Sequence, residues 1–151
     1  MKKILKFILI LFVWFVPSMF VSFDSSYYNS LNLPSYTPNN YIFPIVWSIL
    51  YILISINIFK ITEEYELNEL KEYKNILIFN YITNMLFSFF FISLQSPFLA
   101  FVDSLFVFLS SLFLYYESKD LNKQISSYLI PYVIWTFFAT FLSLSIYFLN
   151  L

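Results

Sequence analysis

Long stretches without a charged residue alternate along this chain with short charged clusters, and the lengths of the stretches set the fold. Phe7–Phe23, Asn75–Val102, Ser104–Tyr116 and Gln124–Leu151 contain no Asp, Glu or Lys. Ser25–Phe59 is also uncharged, polar as far as Asn40 and apolar from Tyr41 onward. A helix needs about 20 apolar residues to cross about 30 Å of hydrocarbon. The pattern therefore predicts an all-α integral membrane protein, a bundle of five transmembrane helices near 5–23, 41–60, 75–94, 98–116 and 125–149. These form one membrane domain over residues 1–151, with a long loop between the first two spans. The only break between the third and fourth spans is "LQSP" around Ser96, which predicts a tight helical hairpin. Strands of a closed barrel would alternate apolar and polar positions and be shorter, so that solution does not fit. The opening "MKKILKFILILFVWFVPSMF" also has the basic start and apolar core of a signal peptide. Its apolar run is long for one and no small-x-small cleavage site follows, so retention as the first helix is expected.

Composition agrees: of 151 residues, 60% are hydrophobic and only 11% charged, too little polar surface for a soluble domain. The chain has no Cys, His or Gly. This excludes thiolate chemistry, the commonest general base and metal ligand, and phosphate-cradling glycine loops. No metal, cofactor or nucleic acid is expected as a partner. All eight basic residues are Lys, at 2, 3, 6, 60, 71, 74, 119 and 123, and with five spans all fall on one side. Positive charge marks the cytoplasmic side, so the N-terminus is expected inside and the C-terminus outside, with a bacterial cell membrane as the expected location. The segment "TEEYELNELKEYK" reads as a solvated helical extension or linker on the inner side.

Within the spans, polar and aromatic residues recur at helical spacing. Phe43, Trp47 and Tyr51 share one face of the second span; Asn80, Asn84 and Ser88, flanked by Phe87 and Phe91, share one face of the third. Tyr128, Tyr132, Trp135, Ala139 and Ser143 form a stripe on the fifth. Two readings compete. Asn and Ser commonly join helices, and Trp and Tyr commonly populate interfacial belts. Three stripes on three helices, with Trp47 and Trp135 deeper than a belt requires, instead suggest an aromatic-walled cavity for a small molecule. Asp103 is the one acid within a span, either a functional group or a side chain that reaches headgroup water near the Ser96 turn.

The pattern resembles a family, the translocator protein family, also called TspO, the tryptophan-rich sensory protein or the peripheral benzodiazepine receptor. The segment "YYNSLNLPSYTPNNYIFPIVWSILY" keeps the family's Tyr28, Leu31, Pro34, Pro38, Phe43, Val46, Trp47, Leu50 and Tyr51. It has Tyr27 and Tyr36 for two loop tryptophans, Leu33 for a Lys and Asn39 for a Pro. "TNMLFSFFFI" keeps Asn84, Ser88 and Phe91 with Phe87 in place of Trp. "PYVIWTFFATFLS" keeps Pro131, Tyr132, Trp135, Phe138, Ala139 and Leu142, with Ser143 in place of Asn.

The resemblance implies a pocket inside a five-helix bundle. Its ligand-binding residues would be Phe43, Trp47, Tyr51, Asn84, Phe87, Ser88, Phe91, Tyr132, Trp135, Ala139 and Ser143. The first loop would act as a lid, with Tyr28, Pro34, Tyr36 and Pro38. It also implies a porphyrin or similar flat hydrophobic ligand, bound for sensing or transport, and a homodimer, although the close crossing that Gly permits is not open to this chain. Two alternatives stand beside it. One is metal-free, light-dependent porphyrin breakdown using Trp47 and Trp135, in which case the protein would be an enzyme; the other is a small exporter of hydrophobic compounds. No Lys follows Lys123, so the sterol-recognition pattern of the fifth helix is missing.

Overall fold

A computed structural model describes residues 2–16 and 25–151. Helix α1 covers Lys2–Phe15 and a short α2 covers Ser25–Ser30. The long helices are α3 (Ile42–Glu64), α4 (Lys71–Ser88, continued as a π-helical turn over Phe89–Ser93) and α5 (Pro97–Leu121). A single turn, α6 (Lys123–Ser126), passes through a 3-10 turn at Ser127–Leu129 into α7 (Ile130–Leu149).

Among the described residues, four helical stretches are long and apolar enough to cross a membrane: 42–64, 71–93, 97–121 and 123–149. The expected count of five is therefore corrected. With 14 residues, α1 is about 21 Å long, short of a full crossing. Its last residue stands two before Pro17, whose ring lacks an N–H and disfavours helix in the residue before it. Residues 17–23 of the expected first span lie outside the described residues. The other helices extend beyond the expected spans by up to about one turn, mostly at the lysine-bearing end, because amphipathic Lys and Glu can continue a helix into the headgroup region.

The α4–α5 hairpin closes as its sequence predicts. Gln95 adopts φ 48°, the Ser96 side chain caps α5 by accepting from the Leu99 N–H at 3.3 Å, and Pro97 opens the helix. Proline is tolerated there because the first-turn N–H has no intrahelical partner.

Lipid tails are as apolar as Leu, so helices in a membrane are held by close packing and hydrogen bonds. Without Gly, α5 brings small residues to its contact face. Ser104, Ser111 and Ser118 recur every seven residues and all are buried. Ser111 Oγ lies 2.9 Å from Thr136 Oγ1 of α7, and Thr140 Oγ1 donates to the Ser104 carbonyl at 2.8 Å. The lysine-bearing end is closed by a buried knot. Asn57 of α3 donates to Ser118 Oγ at 2.7 Å and to the Ile125 carbonyl at 3.1 Å, and accepts from the Tyr73 hydroxyl at 2.9 Å. One residue thereby ties α3, α4, α5 and α6. At the same end Lys3 and Lys6 of α1 both pair with Glu63 of α3.

Candidate ligand-binding site

At the opposite end the helices part around a cavity of about 670 Å³. Pocket size alone places it in the range of small-molecule sites, about 300–1,000 Å³. α3 supplies Phe43, Pro44, Trp47, Ser48 and Tyr51 from its first turns. α4 and its π turn supply Asn84, Phe87, Ser88, Phe91 and Ile92. α5 contributes Ser104 and Val107, and α7 contributes Thr136, Ala139, Leu142, Ser143 and Ile146. Phe15, Tyr28, Asn40 and Tyr41 complete the lining.

The walls are aromatic for a local reason. On α3 the i, i+4 spacing places Trp47 between Phe43 and Tyr51, with Trp47 and Tyr51 centroids 5.6 Å apart. Phe87 stacks on Phe91 at 5.8 Å and 19°. Tyr27 and Tyr28 of α2 meet the edge of Phe91 at 5.7 and 6.4 Å, so the first loop is seated on the π turn. Burial pushes both phenols above the ordinary tyrosine pKa. The π turn ends this helix at Ser93, and π turns recur at functional sites.

Beneath the cavity lies a second polar knot. The Tyr132 hydroxyl donates to Asn80 Oδ1 at 2.9 Å and accepts from Asn84 Nδ2 at 2.7 Å. Asn80 Nδ2 donates to Ser110 Oγ at 2.8 Å and to the Val107 carbonyl at 3.3 Å. Asn84 is thus held in one orientation while another part of it faces the cavity.

Of the residues expected to bind ligand, Phe43, Trp47, Tyr51, Asn84, Phe87, Ser88, Phe91, Ala139 and Ser143 are brought together on the lining. Tyr132 and Trp135 are not. Tyr132 is fully buried in the knot below, edge-on to Trp47 at 6.3 Å. Trp135 stands behind Phe43, with centroids 6.0 Å apart, and its indole N–H is buried without a hydrogen-bond partner. Trp135 and Ala139 are four apart on one face of α7, but Phe43 of α3, which lines the cavity, packs against the indole.

Of the loop residues, Tyr28 lines the cavity, whereas Pro34, Tyr36 and Pro38 do not. Tyr36 is pinned to α7 instead, stacked on Phe141 at 5.8 Å and donating its hydroxyl to Ser145 Oγ at 2.6 Å. The loop is clasped again where Asn150 accepts from the Asn32 N–H at 2.9 Å and donates to its carbonyl at 3.0 Å.

Asp103 does not reach outward. It is 3% exposed, and its Oδ2 has no hydrogen-bond partner. Sequence reasoning missed Trp14, which is buried between Tyr51 at 5.8 Å and Tyr81 at 5.2 Å and locks α1 onto α3 and α4. Its position on an unbroken apolar run carried no period that would have singled it out. Among the described residues no three His, Cys, Asp or Glu gather closely enough to hold a metal ion.

Comparison with known proteins places this architecture. The TspO/MBR family pattern matches residues 7–149. The chain is 36% identical over 152 residues to the tryptophan-rich protein TspO of Bacillus cereus, covering 99% of each. It is 34% identical to the membrane protein YtaB of Bacillus subtilis over 85% of this chain and 83% of that one. It is 30% identical to the tryptophan-rich protein TspO of Archaeoglobus fulgidus over 99% and 97%.

Proposed function

We propose, for a multi-pass membrane protein that belongs to the TspO/MBR family, that the cavity binds flat hydrophobic ring molecules of the porphyrin class for sensing or for movement across the membrane. The observation that carries this is the lining itself. Phe43, Trp47, Tyr51, Phe87 and Phe91 surround one space of about 670 Å³ and offer ring faces, while Asn84, Ser88 and Ser143 supply a few neutral hydrogen-bonding groups. Aromatic faces stack on a planar π-system, and sparse polar groups fix its orientation. The chain has neither His nor Cys to ligate iron, so the metal-free ring should bind at least as well as haem. The setting is a bacterial cell membrane with the lysine-bearing end in the cytoplasm and the cavity end outside.

The test is a titration of protoporphyrin into the purified chain in nanodiscs, read by Trp quenching. Saturable binding is expected. Much tighter haem binding with a sharp, ligand-shifted Soret band would overturn the account. Illuminated and dark samples separate binding from breakdown. Light-driven loss of porphyrin that Trp47→Phe abolishes would move the reading to degradation, and uptake into vesicles would move it to transport.

A further inference from the structure

At the lysine-bearing end, away from the ring-lined cavity, a groove of about 450 Å³ lies between α1 and α3. Its α1 side is formed by Lys2, Leu5, Lys6 and Leu9, spaced so that they share one helical face. Ile58 and Thr62 of α3 stand opposite. Leu5 and Leu9 are 59% and 56% exposed, so the groove opens sideways toward hydrocarbon. Leu9 lies about 10 Å along α1 from Lys2. Ammonium groups therefore stand at headgroup level with an apolar trough leading away from them, which is the order of parts in a phospholipid.

The charges at the rim do not balance. Glu63 is the one carboxylate for both Lys3 and Lys6. Lys6 Nζ also donates to the Thr62 carbonyl at 2.8 Å, so two of its three N–H groups are engaged and one remains. Lys2 has no partner among the described residues. Glu64, next along α3, accepts from Asn122 instead, and neither Glu66 nor Glu69 lines the groove. Basic pockets between membrane helices on the cytoplasmic side attract anionic headgroups. A zwitterionic headgroup gains little from the excess positive charge, and a soluble anion would leave the trough along Leu9 and Ile58 uncovered.

We propose that the α1–α3 groove seats one anionic phospholipid, with its phosphate at Lys2 and Lys6 and an acyl chain along Leu9 and Ile58. The site is separate from the ring-lined cavity and does not depend on what that cavity binds. The probe is phosphatidylglycerol brominated at mid-chain, with equally brominated phosphatidylcholine as the reference. Each is a minor component of phosphatidylcholine nanodiscs that hold the full chain carrying Leu9→Trp. Quenching of the added indole is read after subtracting the native tryptophans, measured in the chain without that substitution. The relative affinity from the two quenching curves should favour phosphatidylglycerol about tenfold. Adding Lys2→Gln should cut the preference to about twofold, and Lys2→Arg should keep it. Lys6 is left in place because it also ties α1 to α3. Lys71→Gln, at the same end but outside the groove, should leave the preference unchanged. With the reporter moved to Phe113→Trp, on an exposed position of α5, the two lipids should quench alike. A ratio taken within one preparation does not depend on how much of a variant is folded. Equal quenching by the two lipids at position 9 overturns the proposal. The same preference at position 113, or a loss in Lys71→Gln as large as in Lys2→Gln, also overturns it and leaves only a general attraction of the basic end for anionic lipid.

Discussion

Where α3 ends and α4 begins, Asn57 meets Tyr73, Ser118 and the Ile125 carbonyl, and all three side chains are buried. Where α3 begins and α4 ends, Asn80 meets Tyr132, Ser110 and the Val107 carbonyl in nearly the same pattern, yet a cavity of about 670 Å³ opens directly above. Both knots consist of an Asn, a Tyr hydroxyl, a Ser and a main-chain carbonyl. What differs is what surrounds them. Around Asn57 stand Ile54, Ile58, Ile61 and Leu114, branched aliphatic chains that interlock, and the short turn of α6. Around Asn84 and Tyr132 stand Trp47, Tyr51 and Phe87, rigid plates that cannot fill a space among themselves without leaving gaps. The same hydrogen-bonding chemistry therefore seals one end and floors a pocket at the other.

The largest contrast concerns access. The proposed orientation puts the cavity end outside, so a cysteine placed at Asn39 should be labelled by a membrane-impermeant maleimide in intact cells, and one placed at Lys71 should not. Labelling at 71 from outside would reverse the assignment of the two ends. Next in size is the loss of the sealing knot. Asn57→Ala removes three hydrogen bonds, each worth about 0.6 kcal/mol on average in a membrane helix bundle, so a loss of about 2 kcal/mol in unfolding stability is expected. Ligand affinity in the folded fraction should be unchanged. A variant that folds normally but binds poorly would show that the two ends are coupled.

Substitutions at the cavity end should give the reverse result. Trp47→Ala takes away a ring face worth about 0.5–1.5 kcal/mol beyond area burial, so porphyrin affinity should fall about tenfold. Unfolding stability should fall less than in Asn57→Ala. Trp135→Ala, behind Phe43, should cost about threefold. Equal losses for the two tryptophans would mean that Phe43 swings aside when ligand enters. The smallest effect is expected for Tyr73→Phe, which deletes a single buried hydrogen bond, about 0.6 kcal/mol by chemical denaturation in detergent. A much larger loss would mean that the phenol also positions the loop between α3 and α4.

By itself the sequence determined the solvent, the long apolar helices after the first loop, the tight turn at Ser96 and the clustering of Lys at one end. These follow from local rules, because run length, charge and a cap followed by Pro act within a few residues. It also singled out Phe43, Trp47, Tyr51, Asn84, Phe87, Ser88, Phe91, Ala139 and Ser143, since a helical period reports which side chains share a face. It could not determine which faces would meet or at what depth. Tyr132 and Trp135 lie on the same stripe as Ala139, and only the approach of α3 decided that Phe43 would stand before one and Trp47 beside the other. Trp14 lay in a run with no distinguishing period, and its place between Tyr51 and Tyr81 was decided by three helices at once. Asp103 showed the same limit from the other side. Its position in the chain was compatible with headgroup water, but burial depends on neighbours that the packing of α4 and α7 against α5 supplied. Periodicity is a property of one helix, whereas occlusion is a property of several, and that is why the pocket's floor and its hidden acid appeared only in the folded bundle.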